Sequence, residues 1–294
     1  GTGALRLGGD FLKVHFPGAV VWISDPTWPN HRGVFQAAGL KVATYPYYDP
    51  ATSALRLDEI LAAMGAMARG DVVVLHACCH NPTGIDPTPA QWDQLIRAME
   101  QRGLIPFVDF AYQGFGSDVD GDAYVVRALG KSGLSFLVAG SFSKNFGLYR
   151  ERTGVLTVTA GDKPEMERVM SQVKAVARAN YSNPPAHGGK VVELILSRPD
   201  LKKIWSAELD EMRDRIKQMR ILFGETLKAK GVNQDFSFLT RQNGMFSFSG
   251  ITKEQVGRLK SEFGVYLVDN GRINVAGMTT KNMDRLCGAI AKVL

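Results

Sequence analysis

Five short apolar runs separated by helix-like stretches constrain this chain more than any other feature. Val20 to Ser24, Val72 to His76, Leu104 to Asp109, Phe136 to Ser141 and Val155 to Thr159 have the length and composition of buried strands. Between them, Leu57 to Ala68 has helical periodicity. Pro89 to Arg102 has a helix's full punctuation, with Thr88 as cap, Pro89 at the first helical position and Gly103 as the stop. Strands that alternate with helices pair in parallel through crossovers, so this pattern predicts an α/β fold with a largely parallel sheet covered by helices.

The pattern changes at Pro199. From there to Lys230, Leu201, Trp205, Leu209, Met212, Ile216, Met219 and Phe223 alternate three and four apart, which predicts one helix about 45 Å long. A helix of that length can join two domains. The reading is a large domain over 1–212 and a smaller α+β domain over 213–294, joined by the helix at about 200–230. In the second part the sequence predicts a strand around Met245 to Ser249 and a helix opened by the Thr252 to Gln255 capping box. A strand pair near Tyr266 and Arg272 to Val275 and a closing helix from Asn282 complete it.

Composition excludes several function classes. With 294 residues, 45% hydrophobic and 22% charged, the chain can bury a sizeable core and is neither disordered nor coiled-coil in type. The net charge of +6 comes from dispersed basic residues with no run of five, so a site for small anions explains it and no nucleic-acid partner is expected. No stretch approaches the roughly 18 apolar residues of a membrane span, and Gly1-Thr2-Gly3 has no signal-peptide character, so a cytoplasmic protein without membrane partners is expected. Cys78 and Cys79 adjoin in an apolar run and Cys287 lies near the end. They form neither a disulfide framework nor a metal motif, and no metal is expected.

The chemistry concentrates in Ser141-Phe142-Ser143-Lys144-Asn145-Phe146-Gly147-Leu148-Tyr149-Arg150-Glu151-Arg152-Thr153-Gly154. It follows an apolar strand and so places a lysine at a strand end, where α/β proteins bind ligands. Taken alone, it also reads as an ordinary surface loop. Three further segments decide between these: His76-Ala77-Cys78-Cys79-His80-Asn81-Pro82-Thr83-Gly84, Val108-Asp109-Phe110-Ala111-Tyr112-Gln113-Gly114-Phe115 and Gly271-Arg272-Ile273-Asn274-Val275-Ala276-Gly277. In content and order the four resemble the motifs of class I pyridoxal-phosphate-dependent aminotransferases of the aspartate and aromatic amino-acid type, over essentially the whole chain. The resemblance implies the type I fold of those enzymes, a mostly parallel large domain with a smaller α+β domain.

It also implies a role for each matching residue. Lys144 matches the lysine that holds the cofactor covalently and moves the substrate proton, which requires its amine to be neutral. Asp109 matches the carboxylate that keeps the pyridine nitrogen protonated, and His31 the histidine behind it. Asn81 and Tyr112 match the donors to the phenolic oxygen; by itself Tyr112 is equally a core aromatic. Ser141, Ser143 and Arg152, with Gly1 and Thr2 at a helix start, match the phosphate cradle. Trp28 matches the tryptophan stacked on the cofactor ring, where a core position is the plain alternative. Arg272 matches the arginine that grips the α-carboxylate, where Trp28 and Asn81 also touch substrate. Arg178 matches the arginine that receives a side-chain carboxylate across a homodimer interface; a surface salt bridge is the other reading.

The resemblance therefore implies ping-pong amino transfer between an aromatic or acidic L-amino acid and 2-oxoglutarate, in a homodimer with shared sites. Family members carry a segment before the phosphate-binding turn, so their N-terminal arm and part of their small domain are expected to lie outside this sequence. Two rival functions share the fold. One is a carbon–sulfur lyase or decarboxylase; the other is the effector-sensing domain of a transcription regulator.

Overall fold

Two cis peptide bonds precede prolines in the first third of the chain, at Asp25-Pro26 and Asn81-Pro82, both in loops that leave the C-terminal ends of strands. The computed structural model describes all 294 residues. In chain order the elements are α1 (Thr2–His15), β1 (Val20–Asp25), α2 (Asn30–Ala37), β2 (Lys41–Pro46), β3 (Tyr48–Asp49), β4 (Ala54–Leu55), α3 (Leu57–Ala66), β5 (Val72–His76), α4 (Pro89–Arg102) and β6 (Ile105–Phe110). There follow α5 (Tyr124–Leu129), β7 (Leu137–Ser141), β8 (Gly154–Val158), α6 (Lys163–Asn180), α7 (His187–Ser197), α8 (Pro199–Ala229), β9 (Phe246–Phe248), α9 (Lys253–Phe263), β10 (Arg272–Asn274) and α10 (Thr280–Val293).

Six strands form the central sheet in the order β2-β1-β5-β6-β7-β8. All pairings are parallel except β7 with β8. The exception has a local cause: residues 142–153 contain no crossover helix, so the chain can only turn back beside β7. That turn is the segment holding Lys144 and Arg152, and it is thereby fixed at the C-terminal end of β7.

Helices cover both faces of the sheet. In β5, Val72 and Val74 point into a 14-residue core cluster with Leu5, Phe35 and Phe107, while Val73 and Leu75 point into a 44-residue cluster. The larger cluster runs from Met64 and Met99 through Leu209 and Phe223 to Leu259 and Ile290, so the packing is continuous between the sheet and the C-terminal elements. α4 keeps the predicted bounds, with a full Thr88–Gln91 capping box and Gly103 in the left-handed region at φ +64°.

The structure corrects several expectations. Tyr266 is in no strand and is 75% exposed; β10 pairs instead with β9, antiparallel, with Arg272 opposite Phe248. The closing helix opens at Thr280 rather than Asn282, because Thr279 caps it and Asn282 is the third helical residue of a capping box. Edge strand β2 and helix α6 were not expected at all. β2 has a mixed burial pattern, and α6 buries none of its 18 residues, so neither carries a clean apolar stripe. Met212 faces outward at 40% exposure, and the buried stripe of α8 runs through Leu209, Ile216, Met219, Phe223 and Leu227.

Candidate active site

The C-terminal ends of β5, β6 and β7 lie side by side, and each delivers a polar residue to one place. β5 ends at His76, whose register partner on β6 is Asp109, and β7 ends at Ser141. β1 turns toward β2 on one side while β5, β6 and β7 fan out on the other, which is the topological switch point where such sheets bind ligands.

Asp109 is 7% exposed and accepts a hydrogen bond through Oδ2 from His31 Nε2 at 3.0 Å; Thr27 Oγ1 lies 2.8 Å from His31 Nδ1. Burial by itself raises a carboxyl, but the His31 hydrogen bond and field outweigh it and hold Asp109 below the usual carboxylate value. Its second oxygen, Oδ1, is buried with no partner. An ionised carboxylate with one free oxygen in a cavity wall is an acceptor awaiting a donor.

Lys144 lines the same cavity. Burial lowers its amine below the ordinary lysine value, the Asp109 carboxylate opposes that, and the Arg152 guanidinium reinforces it. Its Nζ sits 4.7 Å from the centroid of the Tyr112 ring. Burial and Asp109 raise the Tyr112 phenol, which therefore stays a donor, and Asn81 Nδ2 approaches its oxygen at 3.4 Å. Asn81 Oδ1 in turn accepts from Arg272 Nη1 at 3.2 Å, and the Arg272 guanidinium lies 4.6 Å from the Phe246 ring centroid.

At the opposite wall, α1 opens at Thr2 with Gly1 as cap and no side chain on its first amides, leaving them free for an anion. Ser141 Oγ accepts from the Ser143 amide at 3.3 Å, and a Cβ on Gly1 would lie 3.1 Å from the same oxygen, so serine and helix start are in close contact. Arg152 adopts φ +53° and donates to the Tyr149 carbonyl at 2.6 Å.

The cavity between these walls measures about 200 Å³. Gly1, Thr2, Trp28, Asn81, Asp109, Tyr112, Ser141, Ser143, Lys144 and Arg152 all line it. His31 stands behind it through Asp109, and Arg272 reaches it through Asn81. Arg178 does not join them: it lies near the end of α6, exposed, donating to Ser182 Oγ at 2.5 Å. Four further residues line the cavity without a role expected from the sequence, Leu5, His76, Ala111 and Tyr149. His76 has a buried Nε2 without partner, and burial keeps its imidazole well below the ordinary histidine value. The register of β5 against β6 was the signal that could have found it.

Comparison with known proteins accounts for this constellation. The family Aminotransferase class I and II matches residues 1–290. The chain belongs to that family. Among its relatives, an aspartate aminotransferase of Escherichia coli K12 is 54% identical over the whole chain and 74% of that protein's length. An aromatic-amino-acid aminotransferase of the same organism is 48% identical with the same coverage. The aromatic-amino-acid aminotransferase of Burkholderia pseudomallei, solved covalently bound to pyridoxal phosphate, superposes with a TM-score of 0.98 at 52% identity, covering all of this chain and 73% of that one.

This aminotransferase is thus a pyridoxal-phosphate-dependent enzyme of amino-group transfer, with the type I fold of its relatives. Neither a lyase nor a regulator's sensor domain is favoured, since these relatives are aminotransferases. Its cavity suits the cofactor on grounds internal to the structure: an amine held below its ordinary value, an unpartnered buried carboxylate oxygen opposite, and an uncapped helix start with hydroxyls and a guanidinium for a phosphate.

Proposed function

We propose that this aminotransferase moves the amino group between aromatic or acidic L-amino acids and 2-oxoglutarate. Relatives named for aspartate and for aromatic amino acids match it comparably well, which supports a pocket serving both classes. The observation that carries the assignment of roles is the meeting of Lys144 and the free Oδ1 of Asp109 in one cavity.

When bound, pyridoxal phosphate supplies an electron sink for the bond-breaking at the substrate α-carbon. Lys144 would hold it covalently and would be the group that takes and returns the α-proton, and burial favours the neutral amine that both tasks need. Asp109 would accept from the protonated pyridine nitrogen through the oxygen that has no protein partner, while His31 holds the other. Tyr112 and Asn81 donate to the phenolic oxygen. Gly1 and Thr2 at the α1 start, Ser141, Ser143 and Arg152 would hold the phosphate, and Trp28, also in the cavity wall, would stack on the ring. Arg272 grips the substrate α-carboxylate beside Trp28 and Asn81, with a fork geometry no lysine reproduces.

Arg178 receives the side-chain carboxylate of acidic substrates in the cavity of a second copy, in a homodimer with shared sites. Its exposure on α6, with Val155 of β8, Met170 of α6, Tyr181 just after α6 and Leu194 of α7 also exposed, supports an interface on this side. We place the boundary between a large and a small domain near residue 212, within α8. A cytoplasmic location suits these soluble substrates; no helix is long and apolar enough to cross a membrane.

The deciding experiment is an absorbance scan of purified protein with the cofactor, before and after adding L-glutamate, followed by borohydride reduction and peptide mapping. Exchange of the cofactor between its aldehyde and amine forms, with an adduct on Lys144, is the expected result. Pyruvate and ammonia formed without a 2-oxo-acid acceptor would replace transfer by a lyase reaction.

A further inference from the structure

The loop after β5 and the segment before β9 are far apart in sequence, yet they are tied by bonds that none of the assigned roles uses. Asp86 accepts the amides of Cys79 and His80, at 2.8 Å each, which fixes the backbone immediately before Asn81. The same carboxylate accepts from Asn243 Nδ2 at 3.2 Å. The Asn243 amide donates to the Gly84 carbonyl at 2.7 Å, and a Cβ on Gly84 would meet Gln242 Cβ and the Phe246 carbonyl at 2.9 Å. At φ +71°, Gly84 is what permits so close a backbone approach.

The far end of this contact is equally fixed. Asn243 leads into β9, which pairs with the strand bearing Arg272. Buried Arg220 of α8 donates to the carbonyls of Leu239, Gly244 and Phe246 and to Ser247 Oγ, so the segment cannot drift. The Arg272 to Asn81 hydrogen bond closes the circuit.

We propose that Asp86 and Asn243 are positioning residues, a strut that sets the separation between Asn81 and Arg272 and so the fit of the substrate α-carboxylate. The proposal deepens the reading above and rests on the role given there to Arg272. Asp86 and Asn243 do not line the cavity; they act through Asn81, which does, and through Arg272, which is bonded to Asn81.

The test is a double-mutant cycle in the holoenzyme with L-glutamate, using Asn243→Ala, Arg272→Lys and the pair. Asn243→Ala keeps the backbone amide that bonds Gly84, so the protein folds. KM is expected to rise about tenfold with kcat nearly unchanged, the size of one lost hydrogen bond to a charged group. In the Arg272→Lys background the same substitution should add less than about twofold, because the grip it aligns is already gone. Calorimetric binding of succinate, which cannot react, should weaken in parallel. Asp86→Asn should also speed amide exchange at Cys79 and His80 in the cofactor-free chain. Equal losses in both backgrounds, with a lower Tm, would overturn the strut while leaving Arg272 in its role. An unchanged KM in Arg272→Lys alone would remove that role and the strut together.

Discussion

The two sides of the cavity are built differently. On the sheet side, Asn81, Asp109, Tyr112, Ser141 and Ser143 are all buried, held by strand ends and by one another. On the outer side, Tyr149 and Arg152 are exposed, and α6, which carries Arg178 outside the cavity, buries no residue. Within one chain the sheet side is rigid enough to preorganise groups for the cofactor, whereas the outer side lacks the packing that would fix long side chains. On the reading proposed above, the outer half is the one that a second copy would complete.

Removing the most self-contained group tests this division most severely. Lys144→Ala is expected to cut turnover by about four orders of magnitude or more, since both anchor and proton carrier are lost. Its thermal unfolding should stay close to that of the parent, because a lysine whose amine burial disfavours contributes little to stability. Substantial transamination by the variant would place the chemistry elsewhere.

Asp109→Asn should come next, with a loss of about a hundred to a thousandfold in kcat, the usual scale for removing one preorganised electrostatic partner. The pH dependence has a definite sign. The Asp109 carboxyl in the fold lies below its ordinary value, so its stabilising contribution is present above the unfolded value and is lost as pH falls through the folded one. Acid unfolding of the parent should therefore be less steep in Asp109→Asn. Identical acid limbs would show that the His31 bond does not stabilise the ionised form.

Arg178→Ala addresses the outer half. Turnover of aspartate and glutamate should fall by about a hundredfold in kcat/KM, as for one lost charged partner of a buried carboxylate, while an aromatic substrate loses less than about threefold. The selectivity should vanish with dilution if it depends on the dimer. Equal losses for both classes would return Arg178 to the status of a surface residue.

The same division explains what the sequence disclosed. β5 was readable residue for residue because it is buried on both faces, and α4 because Thr88, Pro89 and Gly103 mark its ends. Ten of the fourteen cavity-lining residues were legible through motifs, most of which sit at strand ends and one at the start of α1. β2 and α6 were silent because pattern reading detects burial, and an edge strand or an unburied helix has little. Tyr266 was misread for a related reason: an apolar residue between turns mimics a strand whether or not anything pairs with it. His76 was hidden by a run of valines and leucine whose apolar character masks a polar strand end, and the motif around Arg178 did not disclose that this residue lies exposed outside the cavity.

The smallest effect sharpens the comparison most, because it applies one perturbation to both regions. Thr88 caps α4 and Asp162 caps α6, each accepting the amide three residues on. Replacing either with alanine should cost about 1 kcal/mol of helix stability. α4 buries Trp92, Leu95, Ile96 and Met99, so it opens only when the core does, and the loss in Thr88→Ala should appear in global denaturant unfolding. α6 buries no residue fully and meets the core only through the half-buried Val169 and Val173, so in dilute protein the loss in Asp162→Ala should appear mainly as faster amide exchange within the helix and only weakly in global unfolding. Raising the concentration until copies associate should convert the second case into the first; if both variants shift global unfolding alike even when dilute, α6 is fastened by the single chain and the outer half is not waiting for a partner.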